Sequence, residues 1–267
     1  MINRLCFSLF IFMTCQAVAF EVLSPLSQGA LVQIQVAPDE SVRVGDTKVL
    51  THNNIGFFGV DKEAATITIN STKTGTHVLP VHKTPWKKEV INGLDHKKVV
   101  LSPENQQRVK QENAALWVSR DTPKFQSFPT CFIRPTNRPV SSPFGGYRVL
   151  NGVKTTGHGG TDYRVPIGED VVSSADGLVR IVHDDMFYTG KTVLIDHGGG
   201  LFASYSHLDS IFVKEGQTVK AGTPIGASGQ TGRATGPHLH YSFFWFNTRV
   251  DPENVFVSFP CPSDHTP

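Results

Sequence analysis
From Phe20 to about Val81, apolar and polar positions alternate with a period of two. Val32, Ile34 and Val36 are interleaved with Gln33 and Gln35, Val42 and Val44 follow, and Ile67 and Ile69 alternate with Thr66 and Thr68. That period puts successive side chains on opposite faces of a strand, one face buried and one wet. Turn-forming stretches separate the runs: Pro38-Asp39-Glu40, Gly45-Asp46, His52-Asn53-Asn54 and Thr72-Lys73-Thr74-Gly75. The spacing predicts a small antiparallel, immunoglobulin-like β-sandwich over residues 20–85.

The pattern changes at Ser102-Pro103-Glu104. A serine cap, a proline in the first turn and an acid behind it predict a helix start. The helix is expected over 103–118, inside a connector spanning 86–131. Strand-like runs then return at Gly177–His183, Lys191–His197, Leu201–Leu208, Ser210–Val213 and His238–Phe246. Glycine and proline punctuate them, so residues 132–259 are expected to form a second, mostly β domain.

The first 19 residues follow neither pattern. Arg4 precedes an apolar stretch from Leu5 to Cys15, and Ala17-Val18-Ala19 is a small-x-small cleavage site. This is the pattern of a secretory signal peptide, with an apolar run too short to span a bilayer. A lipoprotein reading, with Cys15 acylated, ranks second because Phe12-Met13-Thr14 lacks small residues. The mature chain is expected to be exported, with no stable membrane insertion.

Composition narrows the function classes. Of 267 residues, 39% are hydrophobic and 18% charged, which is too apolar for a disordered chain. The net charge is +2 with no basic block, so nothing points to nucleic acid. Four cysteines are present. Removal of Cys6 and Cys15 with the signal leaves Cys131 and Cys261, an even pair that suggests one disulfide in an oxidising compartment.

The candidate chemistry lies in the second half. His238-Leu239-His240 would put two imidazoles on one face of a strand, within reach of one small site. In His158-Gly159-Gly160-Thr161-Asp162 a plain strand would separate the first and last residues by roughly 13 Å. A glycine-permitted curl leading into Tyr163-Arg164-Val165 would bring His158 and Asp162 together. Each motif alone is weak; both in one glycine-rich β domain of an exported chain point to a metal site. No glutamate stands in them, which excludes the H-E-x-x-H helix chemistry.

These segments resemble a known family. Ser142-Pro143-Phe144-Gly145, His158-x-Gly160-x-Asp162, Ile195-Asp196-His197-Gly198, Tyr205-x-His207-Leu208 and Thr231-Gly232-x-x-Thr235-Gly236-Pro237-His238-Leu239-His240 are similar to the motifs of lysostaphin-type zinc metallopeptidases. Those enzymes are peptidoglycan hydrolases that cut peptide bonds in the cell wall. The likeness covers about residues 132–255, and the sandwich loosely resembles the accessory domain of periplasmic members.

The resemblance implies a folded antiparallel sheet holding one Zn2+ per chain. Its ligands would be His158, Asp162 and His240, leaving a fourth position for water. His238 would act as catalytic base and His207 as its catalytic partner, either donating to the oxyanion or holding the water. Arg148 and Asn151 are candidates for the groove wall. The substrate would be peptidoglycan stem peptides and the location the periplasm, with secretion as the alternative. Two other functions compete: a catalytically inactive wall-binding or amidase-activating protein, and a zinc protease of Gly-rich proteins. Asp196 and Asp209 read as turn carboxylates, His197 as a packing residue beside the site, and the sandwich histidines as bystanders. The sandwich itself would orient the wall substrate, ahead of a latency role.

Overall fold
In the computed structural model, residues 19–91, 102–150, 153–154 and 157–262 are described. Residues 1–18 of the expected signal segment, His96, Asn151 and His265 lie outside them, as does the side chain of Arg148. No helix among the described residues is long and apolar enough to cross a membrane.

The expected alternation becomes eight short strands: β1 (Phe20–Val22), β2 (Leu31–Val36), β3 (Val42–Val44), β4 (Thr47–Lys48), β5 (Thr51–His52), β6 (Ile55–Gly59), β7 (Thr66–Ser71) and β8 (Gly75–Pro80). They form two antiparallel four-stranded sheets, ordered β1-β2-β6-β5 and β4-β3-β7-β8. Val32, Ile34, Val36 and Ile69 are fully or nearly buried, as the period of two requires.

The strand β9 (Lys88–Ile91) and the helix α1 (Pro103–Asp121) follow. Ser102 Oγ accepts from Asn105 N at 3.3 Å, making the cap that the sequence announces. The helix runs a turn beyond Val118 because tertiary contacts hold its end. Arg120 is buried there, its guanidinium carbon 4.3 Å from the Phe244 ring centroid and its Nε donating to Asn247 Oδ1.

The second half holds β10 (Val140–Ser142), β11 (Tyr147–Leu150), β12 (Val153–Lys154), β13 (Thr161–Tyr163), β14 (Asp170–Val172), β15 (Gly177–Met186) and β16 (Gly190–Gly198). It continues with β17 (Leu201–Ile211), β18 (Thr218–Val219), β19 (Pro224–Ser228), β20 (Leu239–Trp245), β21 (Thr248–Val250) and the helix α2 (Pro252–Ser258). Ten of these strands form one sheet whose main path is β10-β13-β20-β17-β16-β15-β18. β9 pairs with β11 in parallel, tying the connector to the second half.

Three details differ from expectation. Leu201–Leu208 and Ser210–Val213 merge into one strand, β17, which runs through Asp209 without a turn. Asp251-Pro252-Glu253 starts α2 with the same cap grammar as Ser102-Pro103-Glu104, but its apolar run is too short to have marked a helix. Asp196 is no turn carboxylate: it is fully buried on β16, where its oxygens accept from the backbone N–H groups of Lys124, Phe125 and Gly198 and pair with Arg180. It therefore pins the connector beyond α1 to the sheet.

The sandwich and the large sheet share one continuous apolar core. Phe57 stacks on Phe128 of the connector, and Phe58 meets Trp245 of β20 edge to face. Cys131 and Cys261 are bonded, closing the connector onto the segment after α2.

Candidate metal centre
Strand register assembles the site. In the antiparallel ladders, Asp162 of β13 lies opposite His240 of β20, and Ser206 of β17 lies opposite His240 on the other side. Residues directly across a ladder share a face, so Asp162 and His240 point into the same concavity. The curl expected before β13 is present, but the strand begins at Thr161 and includes Asp162 rather than starting at Tyr163. At Gly160 a Cβ would fall 2.3 Å from the Tyr241 carbonyl and 3.0 Å from His240, so only glycine lets the curl close on β20.

Three donors converge. His240 Nδ1 lies 2.7 Å from Asp162 Oδ1, His158 Nε2 lies 3.2 Å from the same oxygen, and the two nitrogens are 3.1 Å apart. The opposite ring atoms are already engaged. His158 Nδ1 is 2.9 Å from the Pro143 carbonyl, which can only accept, so the proton sits on Nδ1. His240 Nε2 is 3.0 Å from Ser242 Oγ, and a proton there leaves Nδ1 bare. Two imidazole lone pairs and a carboxylate thus face one another, an arrangement that calls for a cation. Oxygen and imidazole nitrogen in this set suit zinc, and all three ligand atoms lie within 4.8 Å of one another.

The remaining two histidines stand beside this group. His238 Nε2 is 3.9 Å from Asp162 Oδ1, farther than either neighbouring ring, and its Nδ1 donates to the Gly236 carbonyl at 2.8 Å. The His207 and His238 ring centroids are 4.5 Å apart. His207 Nδ1 donates to the Thr231 carbonyl at 2.7 Å. Both rings therefore turn Nε2 toward the centre, and both are held by carbonyls of the single loop between β19 and β20. That loop is pinned in turn, since Thr231 Oγ1 donates to the Leu208 carbonyl and accepts from Lys191 N.

His207 sits in β17 with φ of 63°, the left-handed region that a non-glycine residue seldom occupies. The kink breaks the alternation of β17 and carries the ring to the side of His238. Sequence offers no signal for it. Nor does it mark Thr231, Gly236 and Pro143 as the carbonyls that orient the rings, although all three lie inside the family-like motifs.

Electrostatics follow burial and pairing. Burial opposes ionisation of Asp162, but hydrogen bonds and charge from His158 and His240 win and hold its carboxyl well below the usual range. Burial likewise opposes charge on His158, yet Asp162 raises its pKa. Burial lowers His240, and it pushes His207 down to about 4 against the Thr231 hydrogen bond. His197, on the neighbouring strand, is fully buried, gives Nδ1–H to the Asp176 carbonyl and stacks on Phe243. It belongs to the packing behind the site, and burial lowers its pKa to about 4.

Residues 156–252 match peptidase family M23. Peptidoglycan DD-endopeptidase ShyA of Vibrio cholerae is 50% identical over 84 residues, covering 32% of this chain and 19% of that protein. The DD-carboxypeptidase/endopeptidase Mpg of Neisseria meningitidis is 41% identical over 124 residues, covering 46% of this chain and 28% of that protein. The chain thus spans well under half the length of these curated relatives. A crystal structure of a Pseudomonas aeruginosa protein classed with peptidase M23 superposes with a TM-score of 0.69 at 27% identity, covering 89% of this chain and 97% of that one. The sandwich and the sheet therefore both have counterparts in that fold. Residues 156–252 are thus a peptidase family M23 domain, and the His158, Asp162 and His240 donors lie within it.

Proposed function
We propose that this protein is an exported zinc endopeptidase that hydrolyses peptide cross-links of bacterial peptidoglycan, cutting the amide between D-alanine and a diamino acid. One observation carries the reading: two bare imidazole nitrogens and a carboxylate converge within 4.8 Å, with two further oriented imidazoles beside them. The peptidoglycan DD-endopeptidase and DD-carboxypeptidase/endopeptidase activities of the Vibrio and Neisseria relatives support the substrate class.

His158 Nε2, His240 Nδ1 and Asp162 Oδ1 would hold the ion. Bound there, zinc supplies Lewis acidity, polarising the scissile carbonyl and lowering the pKa of water to roughly 7. His238, fixed by Gly236, presents Nε2 as general base, takes the proton of the attacking water and returns it to the leaving amine. His207 gives its Nδ1–H to Thr231, so in the neutral ring Nε2 is an acceptor. That tautomer favours holding the water in line over donating to the oxyanion.

The Cys131–Cys261 bond supports an oxidising compartment, and with the expected signal segment it favours the periplasm. The sandwich would orient the wall strand. Retention of all five histidine and aspartate positions disfavours an inactive activator. Mass spectrometry of muropeptides digested with the protein, with a chelator, and after zinc add-back tests the reading. Cross-linked dimers should fall to monomers only with zinc, and the His238→Ala protein should retain zinc while turnover falls roughly 10²–10⁴-fold. Dimers that persist under every condition, or a His238→Ala protein of parental rate, would refute it.

A further inference from the structure
Four arginines of the described residues pair with an acidic side chain. Arg108 pairs with Glu112, Arg134 with Glu253, Arg138 with Glu169 and Arg180 with Asp196. Arg249 has none among the described residues, and it lies beside the metal centre. It sits on β21 opposite Phe244 of β20, with its guanidinium carbon 5.4 Å from that ring's centroid. Its Nη1 donates to the carbonyl of Gly159 at 3.0 Å, the residue between His158 and the curl. A Cβ at position 159 would fall 1.5 Å from Nη1, so the absence of a side chain there is what lets the guanidinium lie against the loop.

Arg249 remains exposed, yet enough protein surrounds it that burial lowers its pKa. The hydrogen bond to Gly159, next in the chain to His158, sets its charge at the edge of the metal centre. An uncompensated guanidinium at the wall of a site that also holds a divalent cation makes a strongly positive concavity, suited to an anion. With one N–H spent on Gly159, the rest of the planar fork has no hydrogen-bond partner among the described residues and suits bidentate pairing with a carboxylate.

The hydrolase reading supplies such a group, and the role assigned to Arg249 rests on that reading. In an amide joining two D centres, the carbon on the amine side bears its own carboxylate, one carbon from the scissile nitrogen. A terminal D-alanine presents the same arrangement. We propose that Arg249 is a specificity-determining residue that binds the free carboxylate adjacent to the scissile nitrogen. It would select bonds that carry this group and set their register over His238.

The test compares two muropeptide dimers, one with that carboxylate free and one with it amidated. Binding is measured calorimetrically on the zinc-loaded His238→Ala protein with Arg249 intact or replaced by Gln, and KM and kcat on the zinc-loaded parent and the Arg249→Gln variant. The free acid should bind roughly ten- to a hundredfold more tightly than the amide, a preference that R249Q abolishes by raising KM for the acid alone. Zinc content should be unchanged. Equal affinity for acid and amide in the presence of Arg249 overturns the proposal. So does an R249Q protein that loses zinc, or loses kcat equally on both dimers, because Arg249 would then only brace the Gly159 loop. Discrimination in binding without cleavage by the parent protein would leave the anchor standing and remove the hydrolase reading.

Discussion

The two halves of the molecule use histidine in contrasting ways. In the sandwich, His52 and His82 are exposed, and His77 is half-buried against Phe20 with Nε2 at 2.8 Å from Thr74 Oγ1. They lie on separate strands or connections and none approaches another among the described residues. In the large sheet, His158, His207, His238 and His240 crowd around one carboxylate. Both halves are antiparallel β structure with abundant turns. The difference is register: β13, β20 and β17 lie side by side and bring Asp162, His240 and Ser206 into one row, while the flanking loops deliver His158 and His238. A site comes from the alignment of adjacent strands, and a count of imidazoles says little.

The contrast can be broken most completely at the row itself. Replacing Asp162 or His240 by Ala should abolish both zinc retention, read by elemental analysis, and hydrolysis. Zinc should also cease to raise the melting temperature, since a ligand stabilises only a state that binds it. A variant that still retained one equivalent of metal would show that the donors lie elsewhere.

The disulfide comes next. It closes a loop of 130 residues between the connector and the tail, for which chain entropy gives about 4–5 kcal/mol at most. Cys131→Ser should lower unfolding free energy in urea by roughly 2–5 kcal/mol, with zinc content preserved in the protein that stays folded.

A smaller effect separates the packed histidine from the reactive ones. His197 has a pKa of about 4 when folded against 6.5 unfolded, because burial excludes its charged form. The unfolded chain binds this proton first, so the contribution is complete above about pH 6.5 and is lost as pH falls toward 4. It amounts to about 3 kcal/mol at most. Urea unfolding of chelator-treated protein should show a shallower loss over that window in His197→Asn than in the parent, and equal slopes would mean that His197 is not held neutral.

The smallest expected change is in the sandwich. His52→Ala and His77→Ala should alter stability by no more than about 0.5 kcal/mol and leave zinc binding untouched. A fall in metal content in either variant would erase the contrast between the halves.

Much of this was legible in the chain. The period of two around Val32-Gln33-Ile34 and Ile67-Thr68-Ile69 is local, and so is the cap at Ser102-Pro103-Glu104; both depend on near neighbours alone. The spacing of His238 and His240 predicts a shared strand face, but β20 starts at Leu239 and leaves His238 at the end of the preceding loop. The cysteine pair follows from an even count once the signal segment is expected to be removed. Asp196 was not legible, because an Asp-His-Gly tripeptide looks the same in a turn as in a buried strand whose carboxylate grips Lys124 and Phe125. The last turn of α1 was hidden likewise, since Arg120 is helical there through Phe244 and Asn247, residues far along the chain.

The sequence by itself determined the elements, the donor types and the tight curl at Gly159-Gly160. Tertiary structure decided which donors meet: the pairing of Asp162 with His240, the left-handed kink at His207, the carbonyls that fix each ring's proton, and the placement of Arg249 against Gly159. The reason is physical. Alternation and capping are set by interactions a few residues apart, whereas register and burial are set by contacts between strands separated by dozens of residues, and no local pattern encodes them.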